Sequence, residues 1–433
     1  MSAPFPWTAE TAESRLESAL QAASGDPAAK AVFTGLLEDR ARGQTKAAAG
    51  VKTPLAGALV SVKALFDVKG EITTSGTKVL RNDPPAQADA PAIARLDAAG
   101  GVFVGLTNMS EFAYSGLGLN PHYSTPRNPA YPGGAPGGST SGGAVSVALG
   151  LCDVAIGSDT GGSLRIPAAF TGITGFKPTQ ASVPMAGGKP LSDSLDSFGP
   201  MAKTVGICEL AWQVMADRPT VPSSTARARL VIPGNFGFDE IDPQVAEGFE
   251  AVVRHLQDNG FDVLRKDLTS MELYGDVPPW HMTSVESRAH YEDHFQGTPE
   301  DFDPRVHARM ARANEITAID YRRTVNRRAA FIAAFREELG NDMLLLPTTP
   351  ILPPDIDALA DDDTFNRMNL LALRNPTLAN IADACSLALP YRHAGNVLSA
   401  MLIATGGRDE ALLACGKAVE EALAEMTDVQ SEG

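Results

Sequence analysis

The chain has 433 residues, of which 44% are hydrophobic and 20% are charged. These proportions are ordinary for a soluble globular protein and exclude a disordered or fibrous one. Lysine and arginine number 36 against 52 aspartate and glutamate residues, which gives a formal net charge of −16. An acidic chain of this kind repels phosphate backbones, so we expect no nucleic-acid partner.

The sequence lacks the usual signals of export, membrane insertion and metal binding. It contains no run of about eighteen apolar residues, and its first residues show no basic region ahead of an apolar stretch. We therefore expect a cytoplasmic protein without a membrane partner. The four cysteines are scattered and show no CxxC spacing, which predicts reduced thiols and no metal site.

The first half of the chain alternates between helical and extended patterns. Residues 14–22 and 30–42 mix charged with apolar residues, which predicts amphipathic surface helices. The apolar and β-branched density then rises over residues 55–66 and predicts a largely buried strand. After residue 89 a helical pattern runs to a glycine pair, and residues 102–106 form the next predicted strand.

The alternation continues towards the C-terminus. Residues 144–151 have the pattern of a small-residue helix, and residues 153–157 have that of a short strand. Residues 220–340 become helical and polar, and an apolar stretch returns at residues 343–346. This order predicts an α/β protein. Its length, without an obvious linker, fits one large domain or two closely packed ones equally well.

Lys63 is unusual because it lies within the apolar stretch predicted to form a buried strand. Lysine is rarely buried without a partner, and burial lowers its pKa by disfavouring the charged form. An amine that is neutral near pH 7 is a competent general base. The structural alternative is a lysine at a strand end, whose ammonium group reaches water.

Two glycine-rich turns follow Lys63. Residues 128–143 hold too many glycines and prolines for a helix or a central strand, yet they lack the lysine of a phosphate-binding P-loop. Residues 159–163 read Asp-Thr-Gly-Gly-Ser. The Asp-Thr-Gly triplet of aspartic proteases occurs only once, whereas that chemistry needs two carboxylates. The backbone N–H groups of this turn are instead suited to an oxyanion hole. These donors belong to Thr160, Gly161, Gly162 and Ser163.

Together the two turns resemble the signature of one enzyme family. The first reads Gly137-Gly138-Ser139, and the second runs from Asp159 through Ser163 to Arg165 and Pro167. The chain resembles the amidase signature family, in which a GGSS(S)G turn precedes D-x-GGS-[IV]-R-x-P by about two dozen residues. Thr140 replaces the usual glycine or serine. The resemblance covers about half of the chain, mostly residues 54–205.

The resemblance implies a fold and a division of the chain. It implies a single large domain whose mixed, mostly parallel central sheet is covered by helices on both faces. The expected parts are N-terminal helices at residues 1–50, a catalytic core at 54–205, a variable helical substrate region at 210–340 and a return to the core at 341–433.

The resemblance also implies a catalytic triad of Lys63, Ser139 and Ser163. Ser163 would attack the amide carbonyl, Ser139 would relay its proton, and Lys63 would accept that proton. The family pattern further implies a cis peptide bond between Gly138 and Ser139. We expect Asp159 and Arg165 to form an ion pair that fixes the second turn, although Arg165 is also suited to a substrate carboxylate. The remaining candidates for site support or substrate binding are Thr140, Ser141 and Tyr114.

The expected activity is hydrolysis of the C–N bond of a small non-peptide amide, or of a carbamoyl or ureido compound, through an acyl-enzyme. Within the family, the alternative is the glutamine-hydrolysing A subunit of a tRNA amidotransferase. A different class of protein would be a catalytically silent binding protein on the same fold. The family pattern calls for no cofactor and is compatible with a homodimer. The substrate itself is not specified by the sequence.

Overall fold

The computed structural model describes residues 5–426. A single sheet of eleven strands runs through this part of the chain, and its strands follow the order β1-β3-β2-β4-β6-β5-β10-β11-β9-β7-β8. The strands are β1 Phe33–Leu36, β2 Leu59–Lys63, β3 Val102–Thr107, β4 Val154–Asp159, β5 Thr174–Lys177, β6 Ser197–Ala202, β7 Leu230–Pro233, β8 Val263–Lys266, β9 Met343–Pro347, β10 Cys385–His393 and β11 Asn396–Ala404.

Thirteen α-helices in the described part of the chain flank this sheet, as expected for an α/β fold. They are α1 Ala12–Gly25, α2 Glu38–Ala48, α3 Pro91–Ala98, α4 Ser141–Ala148, α5 Arg165–Thr171, α6 Val205–Met215, α7 Pro243–Asp258, α8 Ser270–Gly275, α9 Pro279–Gly297, α10 Pro304–Ala311, α11 Ala318–Leu339, α12 Asp362–Ile381 and α13 Asp409–Ala424. None of the helices within residues 5–426 combines the length and the apolar character that a bilayer crossing requires.

The sheet is mixed, as predicted, but the expectation that it is mostly parallel is wrong. Parallel pairing joins β2 to β3 and β4, and β7 to β8 and β9. The other six pairings are antiparallel. The largest antiparallel contribution comes from β10 and β11, which a tight turn links directly. Hairpins of this kind are necessarily antiparallel, and they escaped the sequence pattern.

Strand β2 shows why the centre of the fold is buried on both faces. All five of its residues are buried. Val60 and Val62 pack into the main core with helices α3, α6, α7 and α13. Side chains alternate between faces, so Ser61 points the other way and its hydroxyl meets Ser146 of α4 at 2.9 Å. Lys63 shares that second face.

Several predicted elements are confirmed and three are corrected. Helices α3 and α4 and strands β2, β3 and β4 lie where the sequence pattern placed them. The helix expected over residues 30–42 is wrong in its first half, because Phe33–Leu36 pairs with β3 as an edge strand. Strands β7 and β8 interrupt the region expected to be helical. Pairing with distant strands overrides local propensity in all three cases.

Candidate active site

Lys63 lies at the end of β2 and is fully buried. Its Nζ atom is 2.7 Å from Oγ of Ser139 and 2.9 Å from Oγ of Ser158. Burial lowers the pKa of Lys63 to about 7, although the carboxylates of Asp196 and Asp159 oppose this shift. The amine is therefore held close to the point at which it can take up or release a proton near neutral pH.

The Gly138–Ser139 peptide bond is cis, as the family pattern implied. The loop at residues 110–118 holds it on both sides: N–H of Gly138 donates to the carbonyl of Gly116 at 2.8 Å, and N–H of Ser110 donates to the carbonyl of Ser139 at 3.1 Å. A Cβ atom on Gly138 would lie 2.5 Å from the backbone N of Gly118, so only glycine fits. Helix α4 begins two residues later and anchors the turn.

The second turn joins the end of β4 to the start of α5. The Asp159 carboxylate accepts hydrogen bonds from N–H of Gly162 at 2.8 Å and of Leu164 at 3.1 Å. It also pairs with Arg165 at 2.8 Å, with both side chains fully buried. Burial by itself raises the pKa of Asp159, but the Arg165 guanidinium outweighs this effect and lowers the pKa to about 2. The predicted ion pair is thus present and fixes the turn.

These contacts correct two expectations. The N–H of Gly162 already donates to Asp159, so it is not available to an oxyanion. Among the described residues, N–H of Thr160, Gly161 and Ser163 has no acceptor. Arg165 is not suited to a substrate carboxylate, because its donors reach Asp159, the carbonyl of Pro376 and the side chain of Asn380.

The two turns meet at their serines. N–H of Thr140, the residue after Ser139, lies 3.4 Å from the carbonyl oxygen of Ser163. Ser163 is 3% exposed, and Ser139 is fully buried beside Lys63. The two turns therefore lie side by side, with Lys63 beside Ser139 on the first turn and Ser163 on the second turn, which carries the free N–H groups.

The comparisons with known proteins agree with this arrangement. A family model described as Amidase matches residues 13–413. The chain belongs to the amidase signature family. It is a hydrolase of the amidase class, which acts on carbon–nitrogen bonds.

Individual members of the amidase signature family align over most of the chain. A 2-amino-5-chloromuconic acid deaminase from Comamonas testosteroni is 35% identical over 349 residues, covering 78% of this chain and 75% of that protein. A 1-carboxybiuret hydrolase subunit from Pseudomonas sp. (strain ADP) is 33% identical over 344 residues, covering 73% and 71%. A crystal structure of an amidase superposes with a TM-score of 0.85 at 30% identity, covering 96% of this chain and 98% of that one.

Three residues of the amidase site were not predicted from the sequence. Ser158 contacts Lys63, and Asn380 of α12 donates to Asp159 at 3.0 Å. Asp196 accepts hydrogen bonds from Oγ1 of Thr160 at 2.5 Å and from the backbone of Leu191 at 2.9 Å. Burial raises the pKa of Asp196 to about 6. Ser158 was detectable because it directly follows the strand predicted at residues 153–157, whereas Asp196 and Asn380 reach the site only through the fold.

The remaining expected residues occupy different positions around the amidase site. Oγ1 of Thr140 is 3.5 Å from the carbonyl oxygen of Ser158, so this contact links the first turn to strand β4. Oγ of Ser141 is buried and has no hydrogen-bond partner in residues 5–426. The Tyr114 hydroxyl donates to Oγ1 of Thr283 at 3.0 Å, which ties the loop at 110–118 to helix α9.

Proposed function

We propose that this amidase hydrolyses a small non-peptide amide, or a carbamoyl or ureido compound, through an acyl-enzyme on Ser163. The observation that carries the proposal is the 2.7 Å contact between Nζ of Lys63 and Oγ of Ser139, made by a lysine whose pKa burial lowers to about 7. A serine hydroxyl is a weak nucleophile unless a neighbouring base takes its proton. Neutral Lys63, acting through Ser139, supplies that base.

In the acylation step, Oγ of Ser163 forms a bond to the carbonyl carbon while its proton passes to Ser139. The Ser139 proton moves to Nζ of Lys63, which becomes an ammonium group. The carbonyl oxygen becomes an oxyanion, and the N–H groups of Thr160, Gly161 and Ser163 supply the hydrogen bonds that stabilise it. Collapse of this intermediate breaks the C–N bond, and the leaving nitrogen takes the proton back from Lys63 through Ser139. Ammonia or an amine departs.

Deacylation repeats the same proton path with water as the nucleophile. Water attacks the ester on Ser163 and gives a proton to Lys63 through Ser139. The second tetrahedral intermediate then breaks the bond to Oγ of Ser163, which recovers a proton by the same route. The products are a carboxylic or carbamic acid and the free enzyme. In this scheme Asp159 and Arg165 position the turn and touch no reacting atom.

The proposal also assigns a role to each part of the chain. Residues 54–205 supply the catalytic groups, and residues 210–340 supply helices that close over them. Tyr114 links the two parts through its contact with Thr283 of α9. With the catalytic groups and the helical cover on separate parts of the chain, the cover can set the substrate without altering the reaction.

Intact-mass analysis after treatment with a fluorophosphonate probe tests the proposed function. We expect one adduct on the wild type and none on Ser163→Ala or Lys63→Ala at pH 8. Ser18 is exposed on α1, so Ser18→Ala is a matched control that should label like the wild type. Labelling that requires an added partner protein would favour the amidotransferase subunit instead. Equal labelling of wild type and Ser163→Ala would overturn the nucleophile assignment.

A further inference from the structure

Glu286 of α9 is a buried carboxylate that the proposed reaction does not use, and it is only 6% exposed. Its Oε2 accepts hydrogen bonds from Oγ of Ser192 at 2.5 Å and from N–H of Ser194 at 2.9 Å. Its Oε1 accepts from Oγ of Ser194 at 2.6 Å and from the hydroxyl of Tyr321 on α11 at 2.7 Å. One carboxylate thus joins helices α9 and α11 to segment 190–196, which precedes β6.

These four hydrogen bonds come from neutral donors, and Glu286 forms no ion pair within residues 5–426. The guanidinium of Arg328, on the same helix as Tyr321, donates to the carbonyls of Asn380 and Ile381 instead. Burial and the contact with Glu286 raise the pKa of Tyr321 to about 12, so its hydroxyl stays protonated at neutral pH. A carboxylate buried without a cation depends on its hydrogen-bond donors, so Glu286 and segment 190–196 hold each other in place.

The same segment holds the turn whose N–H groups face the oxyanion. N–H of Ser192 donates to Oδ2 of Asp196 at 3.1 Å, while Oγ of the same serine donates to Glu286. Oδ1 of Asp196 accepts from Oγ1 of Thr160 at 2.5 Å. Burial lowers the pKa of Lys63, and the Asp196 carboxylate opposes that shift. Ser192 therefore bridges two carboxylates, one on the helical cover and one beside the catalytic groups.

We propose that Glu286 is a positioning residue of this amidase, which acts through Ser192 and Asp196 to hold Thr160 where its N–H meets the oxyanion. The inference rests on the proposed function and adds a residue of the helical region to the catalytic machinery. Glu286 itself touches no reacting atom. A shift of about 1 Å in a group that aligns the reaction can cost about a hundredfold in rate, so a turn fixed from outside has a kinetic effect. Contact of α9 and α11 with segment 190–196 is then required for full activity.

The test measures fluorophosphonate labelling of Glu286→Gln, whose amide nitrogen accepts no hydrogen bond and leaves part of the donor set unpaired. We expect the second-order labelling rate at pH 8 to fall by about tenfold or more. The pH profile should also shift to lower pH, because a displaced Asp196 supports the ammonium form of Lys63 less. Asp159, the other carboxylate that acts on Lys63, keeps its own ion pair with Arg165.

Glu338→Gln is the matched control, because Glu338 of α11 also holds a loop through neutral donors. It accepts from N–H of Thr269 at 2.8 Å, from Oγ1 of Thr269 at 3.0 Å and from N–H of Ser270 at 2.9 Å. This variant should keep the wild-type labelling rate and pH profile, whatever it loses in urea stability. A Glu286→Gln protein that loses stability but labels with the wild-type rate and profile would overturn the proposal. If Glu286→Gln does not fold, Ser192→Ala removes the bridging hydroxyl alone and should change both readouts in the same direction; no change in either would refute the proposal.

Hydrogen exchange followed by mass spectrometry separates this inference from the proposed function, since it needs no turnover. We expect Glu286→Gln to exchange faster than the wild type in peptides that cover residues 190–196 and 159–164, and Glu338→Gln to exchange at the wild-type rate in both. Faster exchange in both peptides, in a protein whose wild type does not label at Ser163, would leave the coupling standing and remove the proposed function. Unchanged exchange over residues 159–164, in a protein that labels at Ser163, would do the reverse.

Discussion

Replacing Asp196 by asparagine should move the acid side of the pH–activity profile to lower pH. Burial lowers the pKa of Lys63 from 10.5 to about 7, and the Asp196 carboxylate keeps it from falling further. That lowering corresponds to about 5 kcal/mol against the ammonium form. The base works when neutral, so activity rises with pH through the pKa of Lys63. At pH 6 the wild type should therefore show roughly a tenth of its plateau rate.

Asparagine keeps an acceptor for Thr160 but removes the negative charge that supports the ammonium form of Lys63. The pKa of Lys63 should then fall below 7, and the variant should retain more than a tenth of its own plateau rate at pH 6. The second-order rate of fluorophosphonate labelling, measured from pH 5 to pH 9, reports this without knowledge of the substrate. Asp193→Asn is the matched control, because that side chain is exposed and contacts His290. A profile of Asp196→Asn that stays in place, or shifts to higher pH, would refute the reasoning.

Three further substitutions test the turns. Asp159→Asn should lower the free energy of unfolding in urea by about 3–5 kcal/mol, because the buried Arg165 loses its partner. Asp262→Asn breaks an exposed pair with Arg229 and should leave the urea midpoint unchanged. Gly162→Ala should reduce the rate of fluorophosphonate labelling by about a hundredfold or more, because Gly162 has a φ of 129° and a Cβ there would lie 2.6 Å from Cβ of Pro376. Gly150→Ala is the control: a Cβ on Gly150 would have no atom within 4 Å, so labelling should be unchanged. Ser139→Ala should reduce the labelling rate by about 10²–10⁴ in a folded protein; an unchanged rate would exclude the proton relay.

The local parts of the site could be predicted because their signals are local. Lys63 is a charged residue inside a strand whose neighbours are all buried, and that contrast is visible in five consecutive letters. The glycines around Ser139 and Ser163 are likewise required by backbone geometry: a side chain on Gly138 or Gly162 would collide with neighbouring atoms. The ion pair of Asp159 and Arg165 spans six positions along one turn. Residue type and spacing were sufficient in each case.

Long-range parts of the fold gave no such signal. Strand β1 is four residues long, and only its partner β3 makes it a strand. Asp196 lies 133 positions after Lys63 along the chain, and it reaches the site because β6 runs antiparallel to β4. An isolated aspartate ahead of a strand has the same sequence pattern whether it caps a loop or adjusts the pKa of a buried base. The tertiary pairing distinguishes these two cases.

The same limit explains why the reaction was easier to infer than the substrate. Residues 304–339 hold many arginines, and their sequence spacing alone describes a charged, helical surface. The difference between Arg305 and Arg309 lies elsewhere in the chain. Asp362 pairs with Arg305 from the start of α12, whereas Nη1 of Arg309 donates to the carbonyl of Tyr114. The partner of each arginine is therefore set by contacts between residues more than fifty positions apart, which the spacing within the segment does not show.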